Sequence, residues 1–263
     1  MMNDYSLYKF TWLYRHAPHL EQKLDEAEIR QIMKAGGFAL RNTYGFDCQQ
    51  PTEFWYVIKD RFEGMDELSS KTRNQVRRAF KSYEYRMIDS QFLLEHGYDV
   101  YKRACEAYAV FSFPPSMNEF KAQIMSATEQ DEFWGAFHKE SGKLVAFAIN
   151  HIADNTCGYS TLKAYPEDSK NYVYYGLLFT MNEYYLGTKG MLYVCDGARS
   201  ATSHSNIQPF LIDKFNFRKA YCHMTMTYTW WLRIVVALLL PFYSIMPIPK
   251  VKAFLALHRM QNT

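Results

Sequence analysis

No C-x-x-C pair, no H-E-x-x-H and no G-x-S-x-G occurs anywhere in these 263 residues. The five cysteines, Cys48, Cys105, Cys157, Cys195 and Cys222, are widely spaced and odd in number. They support neither a disulfide framework nor a cysteine-based zinc site, and the simplest reading is reduced thiols in a cytosolic protein. His16, His19 and His151 lack the company of a ligand motif, so no metal is expected. The missing serine elbow argues against an α/β-hydrolase. The first residues, MMNDYSLYKFTWLYRHAP, hold no unbroken apolar run and no small-residue cleavage site, so no signal peptide is expected. Net charge is only +3, so bulk charge does not demand nucleic acid. There is no internal repeat and no low-complexity linker.

What is present is a folding composition. Hydrophobic residues make up 48% and charged residues 22%, which excludes a disordered chain. The length suits one large domain, or two small ones sharing an interface. Aromatics reach 17%, with 21 Tyr and 19 Phe, a share that suits a strand-rich core and equally a pocket lined by rings.

Periodicity and punctuation place the elements. Asp25 caps a helix through AEIRQIMKA that stops at Gly36-Gly37. Strands are expected over 38–44 and 54–59. Ser69 or Ser70 caps a basic helix, KTRNQVRRAFKSY. A short strand over 85–88 leads to a helix over 91–110, ended by Pro114-Pro115. Ser116 and Glu119 form a capping box for another short helix. From 133 the pattern becomes an antiparallel meander, with strands over 133–138, 143–151 and 157–164. A helix over 172–186, a buried strand over 191–195, a loop over 196–200, a helix over 205–214 and a strand over 218–228 follow. The strand–helix–strand step implies a right-handed crossover and a parallel pair inside a mixed sheet.

The stretch 133–228 resembles the core of the GNAT acyltransferases. In LIDKFNFRKAY, Lys214 and Phe217 match that family's helix–turn–strand ending, with Asn216 where glycine is usual. Asn tolerates the left-handed helix end that glycine serves. Upstream, SSKTRNQVRRAFKS resembles the serine–arginine–arginine helix of the Fem-type branch, whose members join amino acids to peptidoglycan precursors using aminoacyl-tRNA. The resemblance implies an α+β fold: a GNAT-like mixed twisted sheet with flanking helices over 129–228. A truncated α/β half over 1–128 precedes it, and an apolar helical tail over 229–263 follows. It also implies transfer of an acyl or aminoacyl group to a primary amine, through two central strands, 157–164 and 191–195, that splay apart and free main-chain groups for the donor. The alternative is a non-catalytic module that binds an acyl chain, lipid or carrier protein. No bound cofactor is expected; acyl-CoA or an acyl-carrier protein is the candidate donor, and tRNA a further partner. The glycine-rich loop of coenzyme A users is reduced here to Gly176 among aromatics, which favours carrier-protein thioesters or aminoacyl-tRNA. Ile212 stands where many members place a tyrosine acid.

Side-chain chemistry concentrates just after 191–195, where loops at strand ends carry function. Asp196 and His204 are candidate bases, the second near neutral pH. Arg199 offers a bidentate fork, and Ser200, Asn206 and Gln208 offer substrate hydrogen bonds. Asp196-Gly197 as a plain turn is the competing reading. Lys163 and Lys170, with Arg73, Arg77 and Arg78 of the basic helix, are candidates for donor phosphates; a solvated helix face is the competing reading.

The tail from Trp230 is apolar nearly all round but interrupted by Arg233, Pro241, Pro247 and Pro249. A span needs about 20 unbroken residues. Either the tail packs as extra core, or it lies in a membrane interface. The second reading would place a cytoplasmic protein peripherally on the inner face of the membrane.

Overall fold

A computed structural model describes residues 4–107, 116–200 and 206–261. His204 lies outside the described residues. The α+β class expected from the sequence is the one observed: ten strands of mixed direction, with helices packed on them, among the described residues. The chain divides into two compact units.

The first unit is Met1–Val57, Ala198–Ser203 and Lys219–Thr263. Its hairpin, β1 (Tyr5–Tyr8) and β2 (Thr11–Tyr14), was not expected. The turn is made by Lys9 and Phe10, both at positive φ, where neither glycine nor asparagine advertises it. Asp25 caps α1 (Glu26–Lys34): its carboxylate accepts from Ala27 N and Glu28 N, and Glu28 reaches back to Asp25 N. β2 runs parallel to β3 (Ala39–Tyr44), and β3 runs antiparallel to β10 (Arg218–Tyr228). Gly37, at φ +76°, is required before β3, because a Cβ there would meet Leu7 and the indole nitrogen of Trp12. Tyr5, Trp12, Ile32 and Leu40 form one core cluster; Phe54, Cys222, Met224, Met226 and Met260 belong to a second.

The tail divides. α10 (Pro249–Arg259) packs on the second cluster, with Phe254 edge-on to Tyr228 and His258 Nδ1 2.9 Å from the Tyr228 hydroxyl. Gln261 just beyond it accepts from Met226 N at 2.7 Å. α9 (Trp230–Leu239) buries only Val236. α10 thus packs as extra core, while α9 leaves most of its apolar surface exposed.

The second unit is Ile58–Gly197 and His204–Arg218. Ser69 caps the basic helix α2 (Ser70–Ser82), which buries Thr72, Val76 and Ala79. The helix expected over 91–110 is two, α3 (Ser90–His96) and α4 (Tyr98–Glu106). They break at Gly97, where a Cβ would collide with the Leu93 carbonyl and the Phe120 ring. The Ser116–Glu119 capping box opens α5 (Met117–Met125). The meander is β5 (Tyr83–Ile88), β6 (Asp131–His138), β7 (Leu144–Ala153) and β8 (Thr156–Ala164), each antiparallel to the next. A short helix α6 (Pro166–Lys170) then precedes α7 (Val173–Asn182), the crossover to β9 (Tyr193–Ala198), which is parallel to β8. Asp196 and Gly197 lie inside β9, not in a turn after it. α8 (Ile207–Phe215) ends at Asn216, which takes the left-handed conformation at φ 55° as expected.

Candidate functional site

β8 and β9 pair only at Thr156↔Tyr193, Cys157↔Val194 and Gly158↔Cys195. β8 continues to Ala164 and β9 to Ala198. The ladder stops where β8 carries an extra residue. Ile149 of β7 faces Thr161 and Asn150 faces Tyr159, which leaves Ser160 as a bulge. A bulge bends and twists its strand, and this one stands two residues past the last β8–β9 pair. The ladder is short, as strands that part in the way the resemblance implies would leave it.

Asp196 is the first residue of β9 past the last paired position. It is half-buried, and desolvation pushes its carboxyl up to about 7, against a lesser opposing effect of a hydrogen bond from Gln208 on α8. A carboxylate with that affinity accepts a proton near neutrality, as a general base must. Cys195 next to it is pushed up to about 12 by burial. It remains a thiol and is a poor nucleophile.

Buried polar groups join β6, β7 and β8 to α7 and the residues just after it. The Tyr159 hydroxyl donates to Asn182 Oδ1 at 2.8 Å. The Tyr185 hydroxyl donates to Glu132 at 2.9 Å and accepts from Trp134 Nε1 at 2.9 Å and Asn150 Nδ2 at 3.1 Å. Sequence reasoning missed Tyr159, Ser160 and this network, because single aromatics and amides in strands carry no motif. A cavity of about 490 Å³ lies elsewhere, at the β5–β6 edge, lined by residues that include Met87, Ile124, Asp131 and Phe133.

The candidate donor-binding residues fare differently. Arg78 of α2 lies over the ring of Tyr172, 5.0 Å from its centroid, and Tyr172 is the left-handed residue that opens α7. Lys170 ends α6 two residues earlier and is exposed. Both therefore stand at the start of the crossover helix, where free N–H groups and the helix dipole favour anions. Arg77 is exposed. Arg73 is tied to its own helix start, with Nη2 donating to the Leu68 carbonyl at 3.1 Å. Lys163 lies near the Tyr101 ring of α4, and burial lowers its affinity for a proton. The one glycine of this region, Gly176, serves packing: a Cβ there would run into the Tyr85 ring and hydroxyl, and that hydroxyl donates to the Val173 carbonyl at 3.2 Å. Gly176→Ala is expected to lose about 1–3 kcal/mol by overpacking, and adding Tyr85→Phe should recover part of it; urea unfolding of the single and double variants checks both.

In the first unit, Arg199 is engaged locally. Its Nη1 donates to the Glu53 carbonyl at 2.5 Å and the Glu53 carboxylate at 2.6 Å, and its guanidinium lies 4.2 Å from the Trp55 ring centroid. Ser200 is exposed. Asn206, in the second unit, is exposed and heads α8 without a side-chain capping bond.

The antiparallel meander, crossover helix, parallel strand parting from its neighbour, and left-handed Asn216 turn together define a GNAT-like fold. FemX has this fold: it matches with a TM-score of 0.54 at 12% identity, over 87% of this chain and 72% of its own. The C-terminal DUF2156 domain of a protein assigned as a lysylphosphatidylglycerol synthetase, from Agrobacterium fabrum, matches with 0.50 at 11%, over 90% and 84%. L-PGS from Bacillus licheniformis matches with 0.50 at 12%, over 80% and 74%. No protein-family model and no curated sequence matches the chain.

Proposed function

We propose that this protein is an N-acyltransferase that moves an acyl or aminoacyl group from an activated ester or thioester to a primary amine. The observation that carries the reading is the coincidence, at one point of the sheet, of parted strands and a desolvated carboxyl at Asp196. Asp196 takes the proton of the bound ammonium, and the free amine attacks the donor carbonyl. Main-chain N–H groups freed along β8 receive the oxyanion. Collapse forms the amide and breaks the bond to sulfur or oxygen, and the leaving group takes up the proton that the attacking nitrogen loses. Gln208 holds the carboxyl in place. The name of the lysylphosphatidylglycerol synthetase similar to this chain supports aminoacyl transfer as one form of the reaction.

Donor phosphates meet Arg78, Lys170 and the first turn of α7. Tyr172 and Tyr85 crowd that turn, so a carrier-protein thioester or aminoacyl-tRNA suits it better than coenzyme A. The same crowding favours a second reading, a module that binds an acyl group without transferring it. Purified protein incubated with a primary amine and, in turn, acyl-CoA, acyl-carrier protein and aminoacyl-tRNA separates the two. Release of free thiol or tRNA is expected with one donor. A donor that raises the melting temperature and is never consumed would establish the binding module.

A further inference from the structure

The first unit carries a continuous apolar face that the transferase reading does not use. Phe10, at the tip of the β1–β2 hairpin, stacks on Phe38 at 5.0 Å, and Phe38 meets the edge of Trp231 at 5.1 Å. The Phe38 main chain ties the three together: its N–H donates to the Phe10 carbonyl at 2.7 Å, and its carbonyl accepts from Thr229 N at 3.0 Å. All three rings are exposed, Phe10 by 61%. From Trp231 the face runs on along α9. Trp230, Ile234 and Leu238, one helical turn apart, are exposed by 78%, 53% and 66%, opposite the buried Val236. Phe242 and Ile245 extend it through the 3₁₀ turn Leu240–Ile245. Soluble monomers rarely leave such a run open to water.

Charge identifies what covers it. From Lys219 onward the chain contains no Asp or Glu, yet it holds Lys219, Arg233, Lys250, Lys252 and Arg259. Arg233 is exposed within the apolar helix itself. Lys252 and Arg259 flank the Tyr243 ring at 5.6 and 4.6 Å. Lys9 stands at the hairpin tip beside Phe10. Bulky apolar groups and tryptophans interspersed with these cations suit the headgroup–acyl boundary of an anionic bilayer. No single described helix is long and apolar enough to cross a membrane, and the chain bends by 108° between α9 with its 3₁₀ extension and α10.

From this we infer that the β1–β2 hairpin tip, Phe38 and α9 form one docking surface for an anionic lipid membrane, reaching well beyond the tail alone. It stands apart from the transferase reading, because binding is measured with no donor present. The full chain is spun with phosphatidylcholine vesicles and with vesicles of equal parts phosphatidylcholine and phosphatidylglycerol. Binding to the anionic vesicles, weakened by salt and accompanied by a blue shift of tryptophan emission, is expected. Trp230→Ser, Ile234→Ser and Leu238→Ser combined should cut partitioning at least tenfold without changing the melting temperature, since all three are exposed. Phe10→Ser, far from the tail in sequence, should weaken it as well. Arg233→Gln should weaken binding about fivefold, on the worth of one cation near a charged surface, and only on anionic vesicles. Wild-type protein that stays in the supernatant with both vesicles overturns the inference. So does a dimer that the triple variant dissociates while vesicle binding is nil, which would make a second copy the occupant.

Discussion

Asp196→Asn should lower kcat/KM by about 10²–10⁴-fold, the usual contribution of a positioned general base. The wild-type profile should fall on its acid side with a midpoint near 7, where the buried carboxyl titrates. The amide variant should lose that limb, because its residual rate no longer depends on this proton. Stability must move the other way. The folded carboxyl holds its proton far above the ordinary 3.8, so the stability this group contributes is present below that value and is lost as pH rises toward about 7. Above that point the wild type carries a poorly solvated charge that the variant lacks. Asp196→Asn should therefore melt at a higher temperature than wild type at about pH 8, and the gap should narrow at about pH 5. Thermal melts at the two pH values and an activity profile across them test the assignment. A rate loss with the acid limb intact would move the base elsewhere. The unaltered Cys195 gives a control: its thiol is buried and protonated, so Cys195→Ala should keep the acid limb.

The parts of this fold legible in the sequence are those governed by neighbours three or four residues apart. The capping boxes at Asp25 and Ser116, the cap at Ser69 and the left-handed Asn216 all satisfy helix-end groups from within their own segments. The order of meander, crossover and last strand follows from alternation and turn residues in the same way. What stayed hidden depends on distant partners. The bulge at Ser160 exists only against β7, two residues past the last β8–β9 pair. Asp196 looked like half of an Asp-Gly turn, and only packing makes it a strand residue with a raised proton affinity. Lys9-Phe10 turns a hairpin with no turn signal, supported instead by Phe38. In the tail, the more apolar helix, α9, is the open one and the more basic α10 is the packed one, the reverse of what composition alone suggests.

The ion pair between Lys59 and Glu67 belongs to the same hidden class and governs the other large effect. Its two side chains are only 3% and 8% exposed, with Nζ and Oε2 2.9 Å apart. The Glu67 carboxylate also accepts from Glu63 N at 3.3 Å, and its main-chain carbonyl accepts from Asn216 Nδ2 at 2.8 Å. The pair thus fixes the turn that holds the end of α8, the helix bearing Gln208. Glu67→Leu leaves a buried ammonium uncompensated, and Lys59→Met leaves a buried carboxylate; either should cost about 3–5 kcal/mol. Against a total of about 5–15 kcal/mol for a folded domain, that loss threatens folding at body temperature. The double variant Lys59→Met with Glu67→Leu removes both charges and conserves volume, so it should unfold at nearly the wild-type urea concentration. A double-mutant cycle in urea would then show strongly non-additive singles, and additive ones would mean that neither charge depends on the other. Because the double variant keeps the Glu67 carbonyl, Asn216 retains its anchor. Gln208 should still reach Asp196, and the acid limb of the rate profile should persist in a protein that has lost the ion pair altogether.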